Sequence, residues 1–431
     1  MFNKSINRSE VYLGLGLCCY KLILDIFAFC ALNDIMSSFF LYEYGIHFEL
    51  YQYFKSWLGT AFLYTIFIFY ESKQQQCRIS DCMILLFILM FVVPTFTFYG
   101  AGLVKELFYN FIVFIVIFII SFYILRSIKI NLNVNDKRKY IIFVTISCLN
   151  IFLLMYIFVI YGHGEFYNFF SQGLNVYDKR LWFSMISSAF PQVINYLLAN
   201  LNIVEIIIII YLLQKKSKWL MLAMFCILYM HFSLAAEKTV LFSGLIVIAV
   251  YLLRKHINLF NVVILMCIFG IIGILDTGLW YYGIIKVPWI SSLWRRALFE
   301  PVYLTQCYYD YFSNLGIHPL DFMEFIKNRG AVAQHISNTY LFSPNGSANN
   351  GMLGGAVAEF GYLGIFITPF ILAIVVKLFD AVTVGKNPYI FMPLLIYIIF
   401  AFVNSMVTTV LLTHGVIMAL LMLWCLPDIE I

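Results

Sequence analysis

The sequence predicts an all-α, polytopic integral membrane protein of about twelve transmembrane helices with two larger extracytoplasmic loops. Three observations predict it. The 431 residues are 63% hydrophobic and only 11% charged, whereas a soluble domain carries roughly 25% charged residues. Too few charges remain to cover a water-facing surface or to solvate a disordered chain. The apolar residues arrive in continuous Ile/Leu/Phe runs of about 20, the length that crosses a hydrocarbon core of about 30 Å; a barrel would show short alternating strands instead. Short charged patches separate the runs, and the basic ones gather on one side when both termini are placed in the cytoplasm.

The expected spans are about 11–31, 54–71, 82–100, 107–125, 140–161, 188–213, 219–235, 238–253, 258–275, 353–376, 389–404 and 407–426. With this topology sixteen of the 27 basic residues fall inside, ten outside, and Lys21 within the first span. The short basic segments 126–139, 215–218 and 254–255 are all inside, as the positive-inside rule requires. Trp219 to Leu253 is 35 residues, about 52 Å as a helix. That is too long for one span and just enough for two, so it reads as a tight hairpin with Glu237 and Lys238 at its tip.

The chain reads as a single transmembrane domain, 1–431, with its extramembrane mass on the outer side, in loops 162–187 and 276–352. Both are rich in Tyr, Trp and Phe, which predicts ordered loops, the second part helical. No internal repeat is evident, which weighs against transporter folds built from two similar halves. The formal charge of +5 is not concentrated on a soluble face, so nucleic acid is excluded as a partner. The ten cysteines form neither a CxxC nor a Cys/His cluster, which argues against a disulfide framework or a zinc site. There is no P-loop, Rossmann fingerprint or zincin helix. Nothing in the residues calls for a cofactor or a metal. An enzyme of this shape must use an already activated, membrane-borne substrate.

Few outer charges remain to be weighed. Arg180 follows Tyr177 in the first loop. It serves either as an interfacial anchor or as a guanidinium fork for phosphate oxygens. Glu237 and Lys238 are a turn with a snorkelling lysine or a functional charge pair at the apolar boundary. In 291–313, Arg295 and Arg296 open a stretch of helical apolar spacing. Pro301 marks a kink or new start, and Glu300, Tyr303 and Asp310 follow. This is either a surface-lying amphipathic helix or a pyrophosphate clamp with acidic residues near a sugar. Adjacent arginines diverge on a helix, so they need not share one ligand. Arg329, His335 and Asn338 come next, then the glycine-rich 343–364 with Asn345-Gly346-Ser347 as a turn. Glu359 stands near the outer end of the tenth span, where a carboxylate needs a partner. Within the membrane, Lys21 and Asp25 are spaced to pair on one helix face. Glu205, with Asn195, Asn200 and Asn202 nearby, is the best argument for a transport path.

Four of these stretches together resemble the oligosaccharide repeat-unit (O-antigen) polymerases of the Wzy type. They are Tyr177-x-x-Arg180; Lys238-Thr239 opening a short span; Arg296 to Pro301 with the Tyr309–Phe312 ending; and Asn350-Gly351 followed by Ala358, Phe360, Gly361 and Gly364. The large outer loop ahead of the last three spans fits along the whole chain. The resemblance implies a metal-independent glycosyltransferase, similar in architecture to membrane glycosyltransferases of the GT-C type, in a bacterial inner membrane. Its donor and acceptor would be glycans on undecaprenyl diphosphate. The growing glycan would pass en bloc to a new lipid-linked unit on the periplasmic face, among membrane lipids and with a chain-length regulator protein as a possible partner. Arg180, Lys238, Arg295, Arg296 and Arg329 are the expected diphosphate ligands. Glu237, Glu300, His335 and Glu359 are the acid/base candidates. An O-antigen ligase and a lipid-linked oligosaccharide flippase are the competing readings, followed by an ion- or proton-coupled carrier.

Overall fold

The structure, a computed structural model, describes residues 8–32, 44–72, 77–105, 107–128, 130, 136–161, 176–236, 238–314, 329–342 and 346–427. All regular structure among them is helical. Eight helical segments are long and apolar enough to cross a membrane; a ninth is added if Gln192–Ala199 and Leu201–Gln214, bent by 55°, count as one span. By helix length and hydropathy the chain is a multi-pass membrane protein. The remaining expected spans are helical but weaker: Val240–Leu253 and Pro388–Asn404 are short, and Leu50–Ser72 is more polar, with Gln52, Lys55 and several hydroxyls.

The helix Phe108–Arg126 shows why lipid is the required solvent. Phe111, Phe114, Ile115, Phe118 and Phe122 are buried, while Tyr109, Val113, Val116, Ile120 and Tyr123 form an exposed stripe at three- and four-residue spacing. A helix apolar on both faces buries one against protein and turns the other to hydrocarbon.

The chain divides into two compact units. The first comprises Met1–Ile128, Ile257–Lys377 and Ile399–Val407. In it α1 (Arg8–Phe27) packs against α2 (Leu50–Ser72) and α12 (Leu259–Tyr281). The segment α3 (Ile79–Phe87) to α4 (Val93–Gly100) is almost wholly buried. A π-turn, Ile88–Val92, joins the two, and Pro94 explains it. A proline has no N–H and its ring collides with the carbonyl four residues back, here that of Met90. Widening the turn relieves that collision. Pro301 produces the same solution. The helix Trp289–Trp294 (α13) passes through a π-turn, Arg295–Phe299, into Glu300–Asn314 (α14). These two π-turns pack against each other, and a third among the described residues, Ala28–Leu32, follows α1. Lys21 and Asp25 pair as their spacing predicts, with the ammonium 5.3 Å from the Trp57 ring centre and 5.9 Å from that of Tyr53.

Gly351 opens the broken span of Met352–Phe360 (α16) and Gly364–Val382 (α17). Its N–H donates to the Val403 carbonyl at 3.2 Å. A Cβ added here would lie 1.9 Å from the Phe402 carbonyl oxygen. Backbone cannot swing aside as a side-chain tip does, so Gly351→Ala should destabilise by about 2–3 kcal/mol, in the range of core overpacking. A thermal-unfolding midpoint equal to that of the wild type would show that the close approach does not exist.

The second unit comprises Lys129–His256, Leu378–Ile398 and Thr408–Ile431. Its central helix is α9 (Leu201–Gln214), which packs against α6 (Asp136–Tyr161), α10 (Lys218–Ala235), α11 (Lys238–Leu253) and the last helix, α20 (Val416–Cys425). The expected hairpin of α10 and α11 is present, turning at left-handed Ala236 with φ 53°. The sixth expected span is interrupted at Asn200, between α8 (Gln192–Ala199) and α9. A second interruption, at Thr413–Gly415, meets it. The Asn200 amide donates to the Tyr196 carbonyl at 2.6 Å and to the Leu412 carbonyl at 3.3 Å. Gly415, at φ +74°, leaves just enough room for the Asn200 oxygen.

Candidate functional site

The first unit gathers polar groups at the end formed by segments 44–49 and 101–105 and the second π-turn. Arg295 and Arg296 are neighbours with opposite fates. Arg295 is buried, and its Nη1 donates to Glu300 Oε2 at 2.7 Å and to the Tyr44 hydroxyl at 3.4 Å. Arg296 is exposed. A π-turn advances each residue by less than the usual 100°, yet two adjacent side chains still diverge enough for one to enter the core and the other to leave it. The Arg295–Glu300 pair spans the turn, five residues apart.

Aromatic rings pack around this pair. Tyr44 lies edge-on to Tyr303, with ring centres 4.8 Å apart, and against Phe98 at 5.4 Å. Phe299 of the π-turn stacks on Phe27 at 5.7 Å. The segment carrying Tyr44 is itself pinned, because the His47 N–H donates to the Ala101 carbonyl at 3.1 Å. Its ring bonds the Gly45 carbonyl at 3.0 Å and Glu49 Oε1 at 2.8 Å, and Lys105 pairs with Glu49.

This clamp titrates. The Gly45 carbonyl first, then Glu49, hold His47 above its ordinary 6.5. Lys105 first, then His47, hold Glu49 below its ordinary 4.5. The histidine contribution is complete below 6.5 and fades as pH rises through the raised value. The carboxylate contribution is complete above 4.5 and fades as pH falls through the lowered one. The clamp is therefore whole between about pH 4.5 and 6.5. An NMR titration of His47 should give a midpoint above 6.5 that drops in Glu49→Gln; an unchanged midpoint in that variant would remove Glu49 from the clamp.

Asn350 locks the end of the large loop onto α14. Its amide donates to the Pro301 carbonyl at 2.7 Å, and Thr305 Oγ1 donates to that carbonyl at 2.8 Å and contacts Asn350 Oδ1 at 3.2 Å. The Tyr308 hydroxyl donates to the Ala348 carbonyl at 2.9 Å. In the Tyr309–Phe312 stretch, Tyr309 and Phe312 are core residues, while Asp310 accepts from Gln306 at 2.7 Å. Much of the motif is therefore packing.

Of the expected site residues, Arg295 and Glu300 are brought into contact. Glu359 is wholly buried in α16. His335 is exposed on α15 (Arg329–Tyr340). Glu237 and the side chains of Arg180, Lys238 and Arg329 lie outside the described residues. Among the described residues no group of three or more His, Cys, Asp or Glu could hold a metal ion. One residue escaped the sequence reading. His231 of α10 meets Glu205 of α9, Nδ1 to Oε2 at 2.9 Å, with both side chains buried. Twenty-six residues separate them, and only the hairpin's packing against α9 joins them. A lone histidine inside an apolar run was the available signal. Comparison with protein-family models, with curated proteins and with solved structures finds no match.

Proposed function

We propose that the chain is a polymerase of lipid-linked oligosaccharide repeat units, crossing a bacterial inner membrane twelve times with both termini in the cytoplasm. The growing glycan leaves undecaprenyl diphosphate and joins the non-reducing end of the next lipid-linked unit, on the periplasmic face. The observation that carries this reading is the split arginine pair on the second π-turn. Arg295 is fixed inside by Glu300 and Tyr44, and Arg296 projects from the same rigid turn. A guanidinium held on ordered backbone is what a leaving diphosphate needs, since a charge already in position costs no reorganisation at the moment of reaction. The absence of any nucleotide-binding motif agrees with a substrate already activated by its diphosphate.

The roles divide as follows. Within the first unit Arg296 binds the diphosphate, with Arg329 as a further ligand, and Arg295 supports the turn. The aromatic residues of the large loop stack on sugars. Among the acid/base candidates Glu300 is engaged by Arg295, Glu359 is buried, and His335 stays open to solvent. The test is reconstitution. Purified protein in liposomes with undecaprenyl-diphosphate-linked repeat units should yield lipid-linked glycans longer by whole units, releasing one lipid diphosphate per bond. Units that only change leaflet would mark a flippase, and units passed only to lipid A-core a ligase.

A further inference from the structure

One end of the second unit carries charge that the polymerase reading does not use; the proposed orientation places that end in the cytoplasm. Segments 136–139, 215–218 and 254–255 hold eight Lys and Arg and a single acid, Asp136. They form one patch. The helices α6, α9, α10 and α11 pack together, and the Phe143 and Tyr211 rings, with centres 5.2 Å apart, fasten the start of α6 to the end of α9. Lys137, Arg138, Lys215, Lys216 and Lys218 are exposed. The positive-inside rule accounts for the side on which they lie. It does not ask where on a helix they stand, and here the placement runs against local preference. The first turn of a helix carries partial positive charge and disfavours cations. Yet Lys137, Arg138 and Lys139 occupy the first turn of α6, and Lys218 is the first residue of α10. At the end of α9 the Ser217 N–H donates to the Leu212 carbonyl at 3.3 Å and the Lys216 N–H to that of Leu213 at 3.1 Å. This closure puts Lys216 on left-handed backbone, φ 55°, where glycine is the usual choice. Charges that oppose their own helices are retained for a purpose outside them.

We propose that this patch binds the headgroups of anionic phospholipids. The inference needs only that the chain spans a membrane, and it stands apart from the polymerase reading. Exposed apolar surface begins within one turn of the charges. Trp219 is 82% exposed, and Leu220, Tyr140 and Ile141 are exposed beside it and at the start of α6. An indole and a phenol at such a boundary settle at headgroup level, and long basic side chains reach from there to the phosphates. Lys139 is paired with Asp136 at 3.5 Å, and Arg254 is folded back onto Tyr251, 3.9 Å from its ring centre and donating to its carbonyl at 2.7 Å. The principal ligands are therefore Arg138 on α6 and Lys215, Lys216 and Lys218 at the turn between α9 and α10. A zwitterionic headgroup brings its own cation, which the patch repels, so the surface selects lipids of net negative charge.

The experiment titrates purified full-length protein, in a non-ionic detergent, with phosphatidylglycerol or with phosphatidylcholine of the same acyl chains. Bound lipid is counted by native mass spectrometry. Each Lys or Arg near an anionic surface contributes about fivefold in affinity, so the wild type should hold phosphatidylglycerol at least about tenfold more tightly. The quadruple variant Arg138→Gln/Lys215→Gln/Lys216→Gln/Lys218→Gln should bring the two lipids within about twofold of each other while still unfolding cooperatively. Lys215→Arg/Lys216→Arg/Lys218→Arg should keep the preference, because the charge is retained. Lys216→Gly separates charge from fold. It should raise the unfolding midpoint, since glycine takes left-handed backbone without strain, and yet weaken retention of phosphatidylglycerol. Equal retention of the two lipids by the wild type overturns the inference, and so does an undiminished preference in the quadruple variant. Displacement of the lipid by millimolar inorganic phosphate would assign the patch to a soluble anion and overturn it as well.

Discussion

Arg296→Ala should abolish chain growth and leave the protein inserted and folded. The expectation comes from the contrast between two adjacent residues. Arg296 is exposed, so removing it empties no cavity and strands no buried partner, and surface changes of this kind usually stay within about 0.5 kcal/mol. Its functional cost should be far larger. Removing one preorganised stabiliser of developing charge typically costs about 10²–10³ in rate. Polymerisation repeats the step once per unit, so a loss of that size leaves core plus one repeat unit on the gel. Arg296→Lys should recover only part, because an ammonium cannot fork onto two phosphate oxygens. The checks are the ladder and the unfolding midpoint in detergent. Wild-type chain lengths from Arg296→Ala would remove this residue from the clamp.

Glu300→Ala has the opposite profile, a loss of fold ahead of any loss of chemistry. Arg295 is 4% exposed, and Glu300 Oε2 is its carboxylate partner at 2.7 Å. Deleting one member of a buried pair leaves the other charge uncompensated and costs about 3–5 kcal/mol. The Glu300 side chain keeps 23% exposure, so water reaches part of the site and the low end, about 3 kcal/mol, is expected. The double variant Arg295→Met/Glu300→Leu should recover most of that stability, because hydrophobic replacements of buried pairs are often neutral or better. Thermal unfolding of the two variants decides it. An unchanged midpoint in Glu300→Ala would mean that the pair does not hold the π-turn.

The helical, membrane-crossing class was legible because it rests on composition and on apolar run length, which the chain states directly. The hairpin at 219–253 was legible from length alone. The Lys21–Asp25 pair followed from four-residue spacing on one helix. What stayed hidden depended on three dimensions. The interruption at Asn200 carries no proline or glycine, so periodicity ran straight through 188–213; the break is held by amide bonds to Tyr196 and Leu412, the second 212 residues away. Pro301 announced a disturbance, but that Arg295 turns inward to Glu300 depends on the widened turn. Glu205 and His231 were each visible as a polar residue in an apolar run, but their pairing was not, because a contact between helices leaves no mark in either stretch alone. The glycines of 351–364 did declare close approach, and Gly351 sits against the backbone of Phe402.

The most direct test of the polymerase reading is to delete the gene and run the cell's surface polysaccharide on a gel. A polymerase predicts collapse of the long ladder to core plus a single repeat unit, since units are still flipped and ligated but no longer joined. Loss of every repeat unit, or an unchanged ladder, would contradict it.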